Sequence, residues 1–205
     1  MAKTTRSATF NSTPKPANHA LSIPKPVLTK VKKVLILGAE CTGKSTLAQD
    51  LGAYFTTPIV NEYMRTYLTE KPSNYTCQWV DLLPIAVGQM IHENQAVSLA
   101  ETQNLPYVFC DTGLFEIMVY SHWYFNACPK EIEQHANQYR YDLVLLTDNF
   151  GIQWVADTMR DLPNGHDKMH QTFVKFLNAH RMEFVAISGN RKQRVQNVVN
   201  LLAKL

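Results

Sequence analysis

Gly38, Gly43, Lys44 and Ser45 stand in the spacing GxxxxGK[ST] within VLILGAECTGKST, the run from Val34 to Thr46. Two glycines separated by four residues let a backbone wrap with its N–H groups turned inward, onto a phosphate. A lysine placed next reaches the outer phosphates of a nucleoside triphosphate, and the hydroxyl after it ligates magnesium. The chemistry indicated is ATP and Mg2+ binding, with Gly38, Glu40, Cys41, Thr42, Gly43, Lys44, Ser45 and Thr46 forming the cradle.

Three further groups of residues have the types that phosphoryl transfer needs. Asp111 follows the apolar run Tyr107 to Cys110, where a strand-end acid holds the magnesium hydration shell; a helix N-cap before Thr112 is the plainer role. Glu62 ends a second short apolar run in Asn61-Glu62-Tyr63-Met64-Arg65, and a carboxylate there orients or deprotonates an attacking hydroxyl. Arg65, one turn on, either holds substrate oxygens or forms a solvated pair with Glu62. The polar stretch from Trp154 to Lys168 suits a lid, with Arg160 as the cation that closes over the transferred group, or as a surface arginine. His166 and His170 have i, i+4 spacing but lack the third ligand of a metal site, so they read as solvated side chains.

These positions need a frame. Apolar runs at Val34–Leu37, Pro58–Val60, Tyr107–Cys110, Leu143–Leu146 and Phe184–Ile187 read as strands. Helical spacing occupies the stretch after Thr46, Gln78–Glu101, Gly113–Phe125 and Arg191–Leu202, with Pro84 opening or kinking the second of these. Short, wholly apolar strands alternating with helices predict an α/β fold, a three-layer α/β/α sandwich around a five-stranded parallel sheet, with a lid segment. Ligands then bind beyond the carboxyl ends of the strands, which lines up Gly38, Glu62, Asp111 and Asp148 on one rim.

Charge divides the chain unevenly. Residues 1–30 hold five Lys and Arg and no acid, together with Pro14, Pro16, Pro24 and Pro26, and so predict a basic, disordered leader. Its prolines, and Arg6 as its single arginine, argue against a targeting peptide. Residues 31–205 hold 15 Lys and Arg against 17 Asp and Glu, so the predicted domain has no broad basic face and nucleic-acid binding is disfavoured. Nothing approaches the ~18 apolar residues of a membrane span, and no secretory signal opens the chain, which places it in the cytosol. Cys41, Cys77, Cys110 and Cys128 form no CxxC pair and read as reduced, packed thiols.

GAECTGKSTLAQDL, NEYMRTYL, FCDT and WVADTMR, in that order, resemble the ribosylnicotinamide kinase domain of the NadR-like family over residues 33–205. The selective features are Glu40 inside the loop, the EYxR segment from Glu62 to Arg65 and the WxxDxxR segment from Trp154 to Arg160. The resemblance implies ATP-dependent phosphorylation of the 5′-hydroxyl of nicotinamide riboside, giving nicotinamide mononucleotide. Lys44, Glu62, Asp111 and Arg160 would then be catalytic, Ser45 and Asp111 would hold Mg2+, and Glu62, Tyr63, Arg65, Trp154 and Asp157 would hold the nucleoside. The chain departs from the family's usual residues at Gly113, Thr158 and Lys168. A pyridinium cation independently suits carboxylates such as Glu62 or Asp157 and a flat ring such as Trp154 or Tyr63. Other readings are a kinase for a deoxynucleoside or coenzyme precursor, and a non-catalytic ATP sensor that recruits a partner through the basic leader. The oligomeric state has no signature in the sequence.

Overall fold

A computed structural model describes residues 21–148 and 166–205. Five strands, β1 (Lys32–Leu37), β2 (Ile59–Val60), β3 (Tyr107–Asp111), β4 (Leu143–Thr147) and β5 (Val185–Ile187), form one parallel sheet in the order β2-β3-β1-β4-β5. The helices are α1 (Lys44–Phe55), α2 (Tyr63–Thr69), α3 (Leu82–Thr102), α4 (Leu114–Phe125), α5 (Lys130–Gln138), α6 (His166–Ala179) and α7 (Arg191–Leu202).

Side-chain alternation along β1 decides which helices lie on which face. Val34 and Ile36 pack with Phe109, Leu145 and Ile187 against α1 (Leu47, Ala48, Leu51) and α7 (Val198, Leu202). Leu35 and Leu37 point the other way, into a larger core with Val108, Cys110, Val144 and Leu146 that α3, α4, α5 and α6 cover. A strand buried on both faces needs apolar residues throughout, which is why β1 lacks polar alternation. The expected three-layer α/β/α arrangement is therefore present. Pro84 lies in the first turn of α3, where its missing N–H costs no helical hydrogen bond, so it opens the helix and does not kink it.

Residues 21–31 differ from the expected leader. Ile23 is buried, its N–H donates to Glu131 Oε1 (2.8 Å), and the Val27 N–H donates to Asn94 Oδ1 (3.0 Å). Asn94 Nδ2 in turn donates to the Lys25 carbonyl at 2.8 Å. Proline removes backbone donors but leaves the carbonyls and neighbouring amides available, so this stretch lies along α3 and α5 as an irregular strap. The first 20 residues lie outside the described ones. Among the described residues no helix is long and apolar enough to cross a membrane, and all four cysteines are free thiols.

Candidate active site

The loop between β1 and α1 is shaped by close backbone approach. Gly38 leaves β1 at φ +154°, and a Cβ there would fall 2.4 Å from Thr147 Oγ1, so a side chain is excluded on both counts. Thr147 Oγ1 donates to Thr42 Oγ1 (2.7 Å), and Thr42 Oγ1 donates to the Ala39 carbonyl (2.8 Å), pinning the loop to β4. Arg194 of α7, 4% exposed, clamps it from the other side. Its guanidinium donates to the carbonyls of Thr42 (2.8 Å), Gly189 (2.7 Å) and Asp148 (3.0 Å) and to Asp148 Oδ1 (3.0 Å). Gly43, at φ 80°, hands over to the 12-residue α1, whose N-terminal partial charge favours an anion, and Ser45 and Thr46 are exposed on its first turn.

Strand register brings the acids to this loop. Ile36 of β1 pairs with Asp111 of β3, and Cys110 pairs with Val60 of β2, so Asp111 and Glu62 leave adjacent strands near the level of Gly38. A buried amide holds the two strand ends together. Gln89 Oε1 accepts from the Tyr63 N–H (2.8 Å), while Gln89 Nε2 donates to the carbonyls of Asn61 and Thr112, both at 3.3 Å. Thr112 sits at φ 87°, a strained conformation for a β-branched residue, at the point where the chain turns from Asp111 into α4. Gly113 leaves room there for the Tyr141 ring, whose hydroxyl donates to Glu93 Oε2 (2.8 Å).

Lys44 lies at the centre. Its ammonium donates to the carbonyls of Gly38 (2.8 Å) and Ala39 (3.1 Å) and pairs with Glu116 Oε1 at 3.3 Å. Burial alone would depress this ammonium, but the summed field of Glu116, Asp111 and Glu62 outweighs burial and holds it above its ordinary value. Glu116, 3% exposed on the first turn of α4, is pushed up to about 8. Its burial is the main cause, and the negative charges of Glu62 and Asp111 add to it against the opposing pull of Lys44. Asp111 is 4% exposed, and its Oδ1 is buried without a hydrogen-bond partner among the described residues.

That donor set fits a hard divalent cation bound mostly through phosphate oxygens and water: one open carboxylate oxygen and the exposed Ser45 hydroxyl. Among the described residues no group of three or more His, Cys, Asp or Glu could hold a metal ion by itself.

Glu62 and Arg65 meet as a 2.8 Å ion pair at the start of α2, the arrangement in which the two satisfy each other. The Tyr63 ring packs on α3 over Gly88, where a Cβ would fall 1.9 Å from ring carbon Cε1, and meets His92 edge-on. Glu40 and Cys41 are half-buried in the loop. Trp154, Asp157, Arg160 and the His166 side chain lie outside the described residues. Three residues central to the geometry carried no sequence signal: Gln89, Glu116 and Arg194 are a lone amide, a lone acid and one of three close cations on helices.

A family model described as an AAA domain matches residues 33–194. The trifunctional NAD biosynthesis/regulator proteins NadR of Salmonella typhimurium and Escherichia coli are each 30% identical to this chain over 161 residues, covering 77% of the chain and 38% of the relative. The chain thus spans well under half the length of the curated relatives it matches. Among solved structures, NadR in complex with NAD and AMP-PNP aligns at TM-score 0.65 and 20% identity, over 85% of this chain and 49% of that one. NadR in complex with NR aligns at 0.66 and 19%, over 85% and 51%. Thymidylate kinase from Candida albicans shares the fold at 0.56 and 15%, over 85% and 92%.

Proposed function

The chain belongs to the AAA-domain family, and from that premise we propose that it is an ATP-dependent small-molecule kinase that phosphorylates the 5′-hydroxyl of nicotinamide riboside. The observation that carries the reading is the position of Lys44 at the mouth of a phosphate loop, with Asp111 and Glu62 on the neighbouring strand ends.

In this reading the amides of residues 38–46 cradle the ATP phosphates and Lys44 reaches the outer ones. Ser45 and Asp111 hold Mg2+, which when bound offsets the charge of the transferring group. Phosphoryl transfer asks little covalent chemistry of the protein, so the remaining task is positioning. Glu62, held by Arg65, orients the acceptor hydroxyl, and Tyr63 and Arg65 border the acceptor. Trp154 and Asp157 are proposed to complete the nucleoside pocket, and Arg160 to close over the moving phosphoryl group. Once phosphate has taken Lys44, Glu116 loses its ion-pair partner among the described residues, which favours a pyridinium over a neutral nucleoside on the acceptor side. A cytosolic location follows from the same proposal.

A panel of nucleosides and coenzyme precursors incubated with Mg2+ and γ-labelled ATP tests the reading. Label should pass to nicotinamide riboside and give nicotinamide mononucleotide. Faster transfer to a deoxynucleoside would replace the substrate, and tight ATP binding with no acceptor-dependent turnover would replace the kinase with an ATP sensor.

A further inference from the structure

Glu116 lies outside every motif that marks the phosphate site, yet it occupies the spot beside Lys44 that an outer phosphate must approach. Its two oxygens are treated differently. Oε1 accepts from Thr112 Oγ1 (3.3 Å) and faces Lys44 Nζ (3.3 Å), which fixes the carboxyl plane, whereas Oε2 is buried with no hydrogen-bond partner among the described residues. A buried carboxylate oxygen without a donor carries a free-energy penalty that a native site keeps for a reason. Lys44 has three N–H donors, and its three close partners are the Gly38 and Ala39 carbonyls and Glu116 Oε1. To serve a phosphate, Lys44 must give up partners, and the movement that releases Glu116 uncovers it.

We propose, resting on the kinase reading above, that Glu116 is a catalytic residue: with nucleotide bound and Lys44 drawn onto its phosphates, Glu116 Oε2 accepts the proton of the acceptor hydroxyl. The hydroxyl O–H bond breaks as its oxygen bonds to the γ-phosphorus. The bond from that phosphorus to the bridging oxygen breaks with its electron pair going to ADP, and the proton leaves Glu116 for solvent after product release.

Two carboxylates then have two roles set by their surroundings. Glu62 is bound to Arg65 at 2.8 Å and serves as the orienting group. Glu116 faces Lys44 from α1, Asp111 from β3 and Glu62 from the turn into α2, with Tyr120 one turn along its own helix. Burial, then those acids, raise the Glu116 carboxyl to about 8, close to the working pH that suits a proton acceptor.

The test is Glu116→Gln in the full chain, assayed with ATP and whichever acceptor the panel identifies. The turnover number should fall by roughly 100-fold or more, while the KM for ATP changes far less, since the loop amides and Lys44 itself remain in place. In the wild type the rate should rise with pH through about 8, the value to which burial raises this carboxyl against the pull of Lys44, and the variant should lose that limb. Glu116→Asp, which keeps the base on a shorter arm, should recover part of the rate and the limb. Turnover within threefold of wild type, or an unchanged pH limb in the Gln variant, would overturn the assignment. If Glu116→Gln fails to fold, the wild-type profile and the Asp variant decide, and a wild-type rate flat below pH 8 is the overturning result. Should no acceptor be phosphorylated, the kinase reading fails separately. Slow ATP hydrolysis, with water as the attacking hydroxyl, then shows or lacks the same Glu116-dependent limb.

Discussion

Lys33 and Lys44 flank opposite ends of β1, both largely buried, and their surroundings differ in one respect that separates structure from function. Among the described residues Lys33 meets a single acid. Its Nζ lies 3.0 Å from Glu93 Oε1 and over the rings of Tyr139 and Tyr141, while Glu93 Oε2 accepts from the Tyr141 hydroxyl at 2.8 Å. One cation faces one anion and both carboxylate oxygens are taken. The Tyr139 hydroxyl is left without a partner among the described residues, but burial holds it in its neutral form. At the other end, among the described residues, Lys44 faces three carboxylates, and Asp111 and Glu116 each keep an oxygen with no donor. A closed charge cluster is complete in the folded chain, whereas an open one is completed only by something that arrives.

The largest expected effect breaks this comparison at its centre. Lys44→Ala should lower kcat/KM by roughly 1,000-fold or more, since it removes a charge that acts on the transferring group. It should lower the melting temperature less than Lys33→Met does, because the Glu116 carboxyl, pushed up to about 8, already holds a proton at neutral pH and leaves no bare charge when its cation is gone. Labelled-ATP turnover and a thermal melt on the same sample check both halves. Normal turnover in Lys44→Ala would remove the phosphate-loop assignment. Lys33→Met strands Glu93 in the core and should cost about 3–5 kcal/mol of stability at neutral pH. The folded fraction should retain its KM for ATP. A change in that KM would mean that the closed cluster also serves the site.

Legibility in the sequence followed the same division. The phosphate loop, Asp111 and Glu62 stood out because each ends an apolar run, and a parallel sheet collects such ends on one rim. Glu116 did not stand out, because a single acid inside Leu114-Phe115-Glu116-Ile117-Met118 becomes informative only when Thr112, Lys44 and the helix start fold against it. Gln89 and Arg194 were hidden for the same reason, since burial and partners are tertiary properties. Helix α5 is short and polar between buried Ile132 and Ala136. Helix α6 begins at His166, inside the polar stretch read as a lid, although Met169, Phe173 and Leu177 at i, i+4, i+8 mark its buried side. The strap of residues 21–31 was masked by its prolines, whose composition says nothing of the carbonyls that Asn94 uses.

A third change sharpens the contrast through pH. The carboxyl of Glu116 stands near 8 in the folded chain against an ordinary 4.5, so between those values the folded state holds a proton that the unfolded chain has lost. Stability attributable to this group therefore falls as pH rises from about 4.5 to about 8 and levels off above it. Glu116→Gln removes that slope. Relative to wild type its melting temperature should climb through this window, by roughly 2–4 °C for each kcal/mol gained in a domain of this size. Equal pH dependence in the two proteins would show that the open cluster stores no such penalty.

The smallest effect belongs to an ion pair at neither end. Arg191 of α7 grips Asp50 of α1 with two 2.6 Å hydrogen bonds, a better geometry than Lys44 has with Glu116, but the arginine side chain is 70% exposed. Water and salt screen such a pair, and holding a long side chain offsets much of what the contact gains. The Arg191 hydrogen bonds, acting against a smaller opposing effect of burial, hold the Asp50 carboxyl below its ordinary value of 3.8. Its contribution is thus present above that value and lost as pH falls through the lowered one. Asp50→Asn should barely move the melting temperature at pH 7, less still in ~1 M salt, and leave turnover unchanged. A loss rivalling that of Lys33→Met would mean that hydrogen-bond geometry, and not burial with an unmatched charge, sets how much each of these pairs matters.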